Sequence, residues 1–425
     1  MRSLLARNSG ACVLALALGC GADLQVVDDD GRGGGGASGL GGGGAGGHGG
    51  GESAPLAVCS DIVEVGGPVI VPLGGSLELD NPQLGYGPSD GAVRLAVSGS
   101  VGGERGLGAT TFEPWGAWPP ALEAPALWPF PHHDMVLDRG PGGATALAGD
   151  WDEMWLLDLE GGAEPLLLPG TEAVPTFLVH SGEARLWHRR TESSHFEQSA
   201  ALESYSPATG VAREDADVCG SYEGRASAMP DGFIVLVERF GAMPACDGPW
   251  PRTLERYRFV DGSGAEVERT GATEVLSRSY QAQLTARSDG AWLIDQPAPD
   301  YEEGPFHVLR LDADAAPVDG EWLKLTSPYE RDARFAFAAH GDGVVAAWVG
   351  VIEPVLHLQV LEPDGVRSAF RTFKVPLGLD PEQIAPMVLL SSPDRRSILV
   401  LRQVATGDLS GARLELRRYD CVEGG

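Results

Sequence analysis

Three aspartates, Asp312, Asp314 and Asp319, fall within the stretch 306–325, FHVLRLDADAAPVDGEWLKL. Carboxylates at alternate positions can hold a calcium ion, but a calcium loop also needs a central glycine and a distal bidentate glutamate. Neither is in place here. Aspartate and glycine favour turns through local backbone chemistry alone, so a hairpin turn between two strands is the expected role. His132 and His133, followed by Asp134, are a second candidate ligand set, but adjacent histidines chelate with awkward geometry and no third ligand stands near them. His188 and His195 with Glu197, in HRRTESSHFEQ, form an equally thin set. Nucleophilic hydrolases place serine on a strained G-x-S-x-G turn. The nearest stretch, Gly220-Ser221-Tyr222-Glu223-Gly224, has its serine one position off. The chain has 60 acidic residues, so carboxylate pairs of the glycosidase type are too numerous for any one to stand out. No metal or cofactor is expected.

The other chemically distinctive stretch is aromatic. Residues 112–134, FEPWGAWPPALEAPALWPFPHHD, hold Phe112, Trp115, Trp118, Trp128 and Phe130 among prolines. Flat rings on a stiff backbone make a platform for a sugar, a peptide or an apolar partner. The structural alternative is that the rings pack between neighbouring units while the prolines set a long connection. Trp115, Trp118, Trp128 and Phe130 are the candidate binding residues.

The elements that must position these residues begin with the chain's ends. Arg2 and Arg7 precede a short apolar run, Ala11–Leu18, in MRSLLARNSGACVLALALGC. The run is too short to cross a bilayer, which takes about 20 apolar residues, and has the shape of a secretory signal. The stretch ALGC at 17–20 resembles a bacterial lipobox, with Ala17 where that family usually has leucine. The resemblance implies a signal peptide over 1–19, lipidation of Cys20 and, from Gly21, delivery to the outer membrane or cell surface. Residues 31–53 are nearly all glycine. Such a segment has no side chains to bury and loses much entropy on folding, so 20–58 reads as a flexible tether reaching on the order of 35 Å.

The net charge is −29, which argues against a nucleic-acid ligand, whose phosphates need a basic face, and against a polybasic membrane dock. There are six cysteines. With Cys12 in the signal and Cys20 lipidated, Cys59, Cys219, Cys246 and Cys421 remain. An even set in an oxidising compartment implies two disulfides with three possible pairings.

From residue 59 to 425 the sequence is all-β in pattern: short alternating or apolar runs broken by tight turns. One kind of turn recurs at Ser89-Asp90-Gly91, Gly142-Gly143, Ser181-Gly182, Asp231-Gly232, Asp289-Gly290, Asp342-Gly343 and Asp394-Arg395. Each precedes an apolar strand, from AVRLAVSG to SILVLRQ. A second strand such as HVLRLDADAA or LHLQVLEPDG then follows. Four strands per unit of about fifty residues is the repeat of a propeller blade. The pattern resembles the degenerate β-propeller repeats of bacterial exported proteins, over residues 84–425. It predicts seven four-stranded blades, with 59–425 as one propeller domain.

The last unit stops after its third strand, and CSDIVEVGGPVIVPL near the start is a spare strand. That strand is expected to complete the last blade and close the ring, placing Cys59 beside Cys421. Cys219 and Cys246 lie in loops on one face of one blade and are expected to pair. Long segments at 188–201, 240–253, 295–305 and 404–411 are expected as loops on one face. The functional expectation is a lipid-anchored, monomeric, non-catalytic module at the cell envelope that binds a carbohydrate or protein. The alternative is an extracytoplasmic hydrolase or lyase acting on polysaccharide in the propeller funnel.

Overall fold

A computed structural model describes residues 59–423, apart from 74–76, 80–81, 87–90, 102–103, 130–133, 138–144, 150–153, 160–164, 169–177, 182–184, 195–196, 207–209, 220–223, 230, 239–251, 261–265, 276–281, 296–305, 321, 326–333, 350–354, 376–386 and 406–411. The described residues are all-β and form a β-propeller. Their strands make five four-stranded sheets and two five-stranded ones, taken here as first to seventh in chain order.

Two N-terminal strands come first, β1 (Cys59–Glu64) and β2 (Val69–Ile70). The first sheet holds β3 (Leu77–Leu79), β4 (Gln83–Tyr86), β5 (Val93–Val101), β6 (Glu104–Phe112) and β7 (Ala126–Pro129). The second holds β8 (Asp134–Leu137), β9 (Thr145–Gly149), β10 (Met154–Asp158) and β11 (Leu166–Leu168). The third is β12 (Leu178–Ser181), β13 (Arg185–Ser194), β14 (Glu197–Ser206) and β15 (Gly210–Cys219). The fourth is β16 (Gly224–Met229), β17 (Gly232–Glu238), β18 (Arg252–Phe259) and β19 (Val267–Val275). The fifth comprises β20 (Gln283–Arg287), β21 (Gly290–Asp295), β22 (His307–Asp312) and β23 (Leu323–Lys324). The sixth comprises β24 (Arg334–His340), β25 (Gly343–Val349), β26 (Val355–Leu361) and β27 (Arg367–Lys374). The seventh contains β28 (Met387–Ser391), β29 (Ser397–Ala405) and β30 (Ala412–Glu423).

Within the sheets neighbouring strands run antiparallel, and sequence-adjacent strands pair except in the first sheet, where β3 and β4 both pair with β5. Asp231-Gly232, Asp289-Gly290 and Asp342-Gly343 each join the first strand of a sheet to its second. The first strands pack on one another from sheet to sheet: β12 on β16, β16 on β20, β20 on β24, β24 on β28, β28 on β4, and β4 on β8.

The sheets bury both faces, which explains their composition. β25 (GVVAAWV) is apolar at nearly every position because a neighbouring sheet covers each side, whereas the outermost β27 is largely exposed. The core is therefore a series of seams. One joins the fifth, sixth and seventh sheets through Phe306, Phe335, Trp348, Leu358 and Tyr419. Another joins the seventh to the first through Leu399, Leu416, Leu84 and Leu95. A third joins the fourth to the fifth through Ile234, Leu254, Leu293 and Leu309.

The N-terminal segment adds to the seventh sheet, but as two strands rather than the single one expected. Both β1 and β2 pair with β30. Gly66 and Gly67, at φ 65° and 84°, break the extended run between them. Cys59 and Cys421 are joined by a disulfide across 362 positions. The stretch 188–201 also differs from expectation. β13 and β14 stay paired out to Ser194 opposite Glu197, so backbone hydrogen bonding extends a hairpin where polar composition reads as a loop.

A cross-link that closes so long a loop restricts the unfolded chain severely and contributes about 4 kcal/mol. Cys59→Ser, or reduction of the bond, is expected to lower the unfolding free energy in urea by that amount, with a lower midpoint and a steeper slope because the freed unfolded chain exposes more surface. An unchanged midpoint would show that the bond does not constrain the unfolded state.

Candidate functional site

The aspartate-rich turn of the fifth sheet is filled by its own chain. Asp312 Oδ1 accepts hydrogen bonds from the backbone N–H groups of Asp314 and Ala316, both at 2.9 Å. Ala315 takes φ 63° at the tip. Asp314 Oδ1 accepts from Arg258 of the fourth sheet at 2.9 Å, and Asp319 Oδ2 from Arg310 at 2.7 Å. The three carboxylates thus point to three different partners. Among the described residues no group of three His, Cys, Asp or Glu side chains is placed to hold a metal ion.

One of these partners, Arg310, belongs to a recurring device that sequence reading missed. The third strand of a sheet carries an arginine that reaches the turn between the third and fourth strands of the next sheet. Arg256, fully buried on β18, donates from Nε to the Ala313 carbonyl at 2.7 Å and forms an ion pair with Asp231. Arg310 on β22 donates from Nη1 to the Pro363 carbonyl at 3.2 Å. Arg418 on β30 donates from Nη1 to the carbonyls of Pro114 and Gly116, at 2.9 and 2.8 Å, and from Nε to Asp420 at 2.7 Å. The signal was present in LERYRF, HVLRLD and LELRRYD, in which the clasping arginine lies two residues before Arg258, Asp312 and Asp420. An arginine in an alternating strand reads as a solvent-facing residue, and a carbonyl partner leaves no mark in sequence.

Arg418 also fixes the aromatic segment. Trp115 and Trp118 are partly buried against the seam of the first and seventh sheets, beside Val69, Leu73 and Tyr86. The Trp118 indole N–H donates to the Gly67 carbonyl at 2.9 Å. A Cβ on Gly66 would lie 2.6 Å from Trp118 Cδ1, so the glycine pair admits the ring. The Trp118-Pro119 bond is cis. These two rings therefore dock the long β6–β7 connection onto the N-terminal strands. Trp128 lies on β7 opposite Leu107, and Phe130, His132 and His133 lie outside the described residues. Asp134 opens β8, His188 is on β13 and Glu197 opens β14, while His195 lies outside the description. Cys219 ends β15 opposite Ser199; Cys20 and Cys246 lie outside the described residues.

A buried polar knot lies at the turn end of the seam between the sixth and seventh sheets. His340 is fully buried at the end of β24. Its Nδ1 is 2.7 Å from Ser391 Oγ, and its Nε2 is 3.8 Å from Cys421 Sγ. Arg395, at φ 62° in the β28–β29 turn, pairs with Glu362 at 2.6 Å, and its side chain packs against Gly341. Burial pushes the His340 imidazole down to about 4, with the nearby Arg395 charge acting in the same direction. The serine–histidine contact resembles half of a hydrolytic site, but complete burial leaves no room for a substrate, and the pair holds two sheets together.

No protein-family model matches the chain, and no curated protein matches it in sequence. Solved structures are similar to it. The virginiamycin B lyase of Staphylococcus aureus has a TM-score of 0.50 at 9% identity, over 84% of this chain and 99% of that one. A streptogramin B lyase has a TM-score of 0.45 at 11% identity, over 80% of this chain and 96% of that one. The N-terminal domain of Nup159 has a TM-score of 0.43 at 11% identity, over 86% and 98%. At such identities the likeness concerns the propeller fold alone.

Two outcomes follow from the buried groups. Arg256→Met removes the clasp and leaves the Ala313 carbonyl without this donor, and is expected to cost about 2–3 kcal/mol in chemical denaturation. His340 is neutral in the fold and protonates more readily when unfolded. Its contribution is complete above pH 6.5 and is lost as pH falls from 6.5 to about 4, a loss of about 3 kcal/mol. His340→Asn should flatten that part of the stability–pH curve. An unchanged slope would place the acid sensitivity elsewhere.

Proposed function

We propose that this protein is an exported, lipid-anchored β-propeller of seven blades that acts as a non-catalytic binding module at the cell envelope. Each of the seven sheets counts as one blade, and β1 with the Cys59–Cys421 bond closes the ring. Cys20 carries the lipid, 20–58 is the tether, and Cys219 pairs with Cys246. One observation carries the binding reading: the described side chains best suited to chemistry are spent on joining sheets. His340 and Ser391 are buried against each other, the aspartates of the fifth sheet bond to their own turn and to arginines, and Arg256, Arg310 and Arg418 grip neighbouring carbonyls. The ligand is a carbohydrate or protein, met in part by the segment carrying Trp115, Trp118, Trp128 and Phe130.

Unreduced peptide mapping of the mature protein by mass spectrometry tests the architecture. Acylated Cys20 and a Cys219–Cys246 link are expected. An unmodified Cys20 would remove the anchor, and free thiols at 219 and 246 would remove the second bridge. A panel of envelope polysaccharides tests the role, with binding but no turnover expected. Turnover abolished by replacing a single funnel carboxylate would replace this reading with a hydrolase or lyase.

A further inference from the structure

The sequence contains only two lysines, Lys324 and Lys374, in a chain of net charge −29. The fold places them on the outermost strands of adjacent sheets, β23 of the fifth and β27 of the sixth. Both are exposed. A third cation joins them: Arg367, also exposed, donates from Nη2 to the Lys324 carbonyl and so bridges the two rims. Leu323 closes the junction from the other side, since a Cβ on Gly365 would sit 2.8 Å from Leu323 Cδ1.

Large apolar groups are exposed along the same rim. Phe370 is 51% exposed, Leu323 39% and Val366 60%. Phe370 is not loose. It ends a stack of rings running out of the core: Phe306 on Phe335, Phe335 on Trp348, Trp348 on His357, and His357 on Phe370, the last at 6.0 Å between centroids. This stack puts Phe370 on the side of β27 that faces the fifth sheet. Strand alternation puts Thr372 and Lys374 on that same side. Arg371 lies on the opposite side, where Asp61 of β1 neutralises it through two hydrogen bonds. The acidic groups of the adjoining turns are engaged: Asp364 accepts from the Val366 N–H, and Asp319 pairs with Arg310. Among the described residues β27 pairs as a strand only with β26, so its outer edge has no strand partner among them.

We infer that the rim between the fifth and sixth sheets binds an extended acidic peptide segment that presents carboxylates and an apolar side chain on one face, the face that meets Phe370 and Lys374. Peptides add to an open strand edge through backbone hydrogen bonds, with alternate side chains giving specificity. Here Phe370 and Leu323 would take the apolar side chain, and Lys324, Lys374 and Arg367 the carboxylates. From Arg367 to Lys374 the strand spans about 23 Å, enough for about seven extended residues. The overall negative charge does not prevent this, because at physiological salt charges beyond about 8 Å are largely screened while contacting pairs are not. The site is separate from the aromatic segment at 112–134, and it stands whether or not the chain is anchored.

The test is fluorescence anisotropy on the full mature chain. The probes are a fluorescein-labelled peptide of glutamates with a central phenylalanine, and the same peptide with lysine for glutamate. The acidic peptide is expected to bind and the basic one not. Lys324→Glu with Lys374→Glu should weaken binding at least tenfold, as should Phe370→Ser. Val260→Ser, at an exposed apolar residue just after β18, should leave it unchanged. All these positions are exposed, and an unchanged melting curve verifies folding. No binding of the acidic peptide, or binding indifferent to the rim substitutions, overturns the inference. If a sulfated polysaccharide binds in place of the peptide with the same sensitivity, the rim is an anionic-glycan site and the peptide assignment fails.

Discussion

The guanidinium group that crosses from one sheet to the next is the contact on which the rest of this structure depends. Apolar seams supply most of the attraction between sheets, but hydrophobic burial is non-directional and would tolerate many rotations of one sheet on another. Arg256, Arg310 and Arg418 add direction. Each is anchored in the register of a third strand and donates to a carbonyl at a defined turn of its neighbour. A planar donor fork can satisfy such a carbonyl over a narrow range of angles. Burying the charge is unfavourable in itself, and carboxylates offset that cost: Asp231 and Asp319 from turns for Arg256 and Arg310, and Asp420 from β30 itself for Arg418. The aspartate-rich turns are therefore part of the joint between sheets.

The seam between the sixth and seventh sheets solves the same problem differently. It has no third-strand arginine reaching forward, because Val360 of β26 stands at the equivalent place, opposite Val345. Its joint runs backward instead, from Arg395 to Glu362 and from Ser391 to His340. This is also the seam along which β1 lies, with Asp61 reaching Arg371 of β27. Hydrogen bonds from Arg371 and from the Ile62 N–H hold the Asp61 carboxyl at about 2. The sheet completed from the far end of the chain thus has a polar fastening on either side of it.

Much of this architecture was legible in the sequence. Asp-Gly turns ahead of apolar strands gave the strand order of the fourth to sixth sheets, because turn chemistry and alternation are local. The pairing of Cys59 with Cys421 followed from a missing strand at one end and a spare one at the other. The kink at Gly66-Gly67 was not foreseen, since two glycines between apolar runs do not reveal that Trp118 will dock beside them. The rim cations were invisible for a related reason. Lys324 and Lys374 are fifty positions apart, and only the packing of one sheet on the next brings their strands together. What sequence patterns report is the single sheet; what they omit is the angle between sheets, on which every candidate site here depends.

The disulfide has a mechanical meaning as well as a thermodynamic one. β1 is the outermost strand of its sheet and lies antiparallel to β30, with Cys59 opposite the end of that ladder. A pull on the chain ahead of Cys59 would otherwise unzip this ladder one hydrogen bond at a time, the weakest way to load a strand. Because Cys59 is bonded to Cys421, the pull passes into β30, which is held on its other side by β29. The load is then spread over the interior of a sheet, and the outermost strand stays in place under tension.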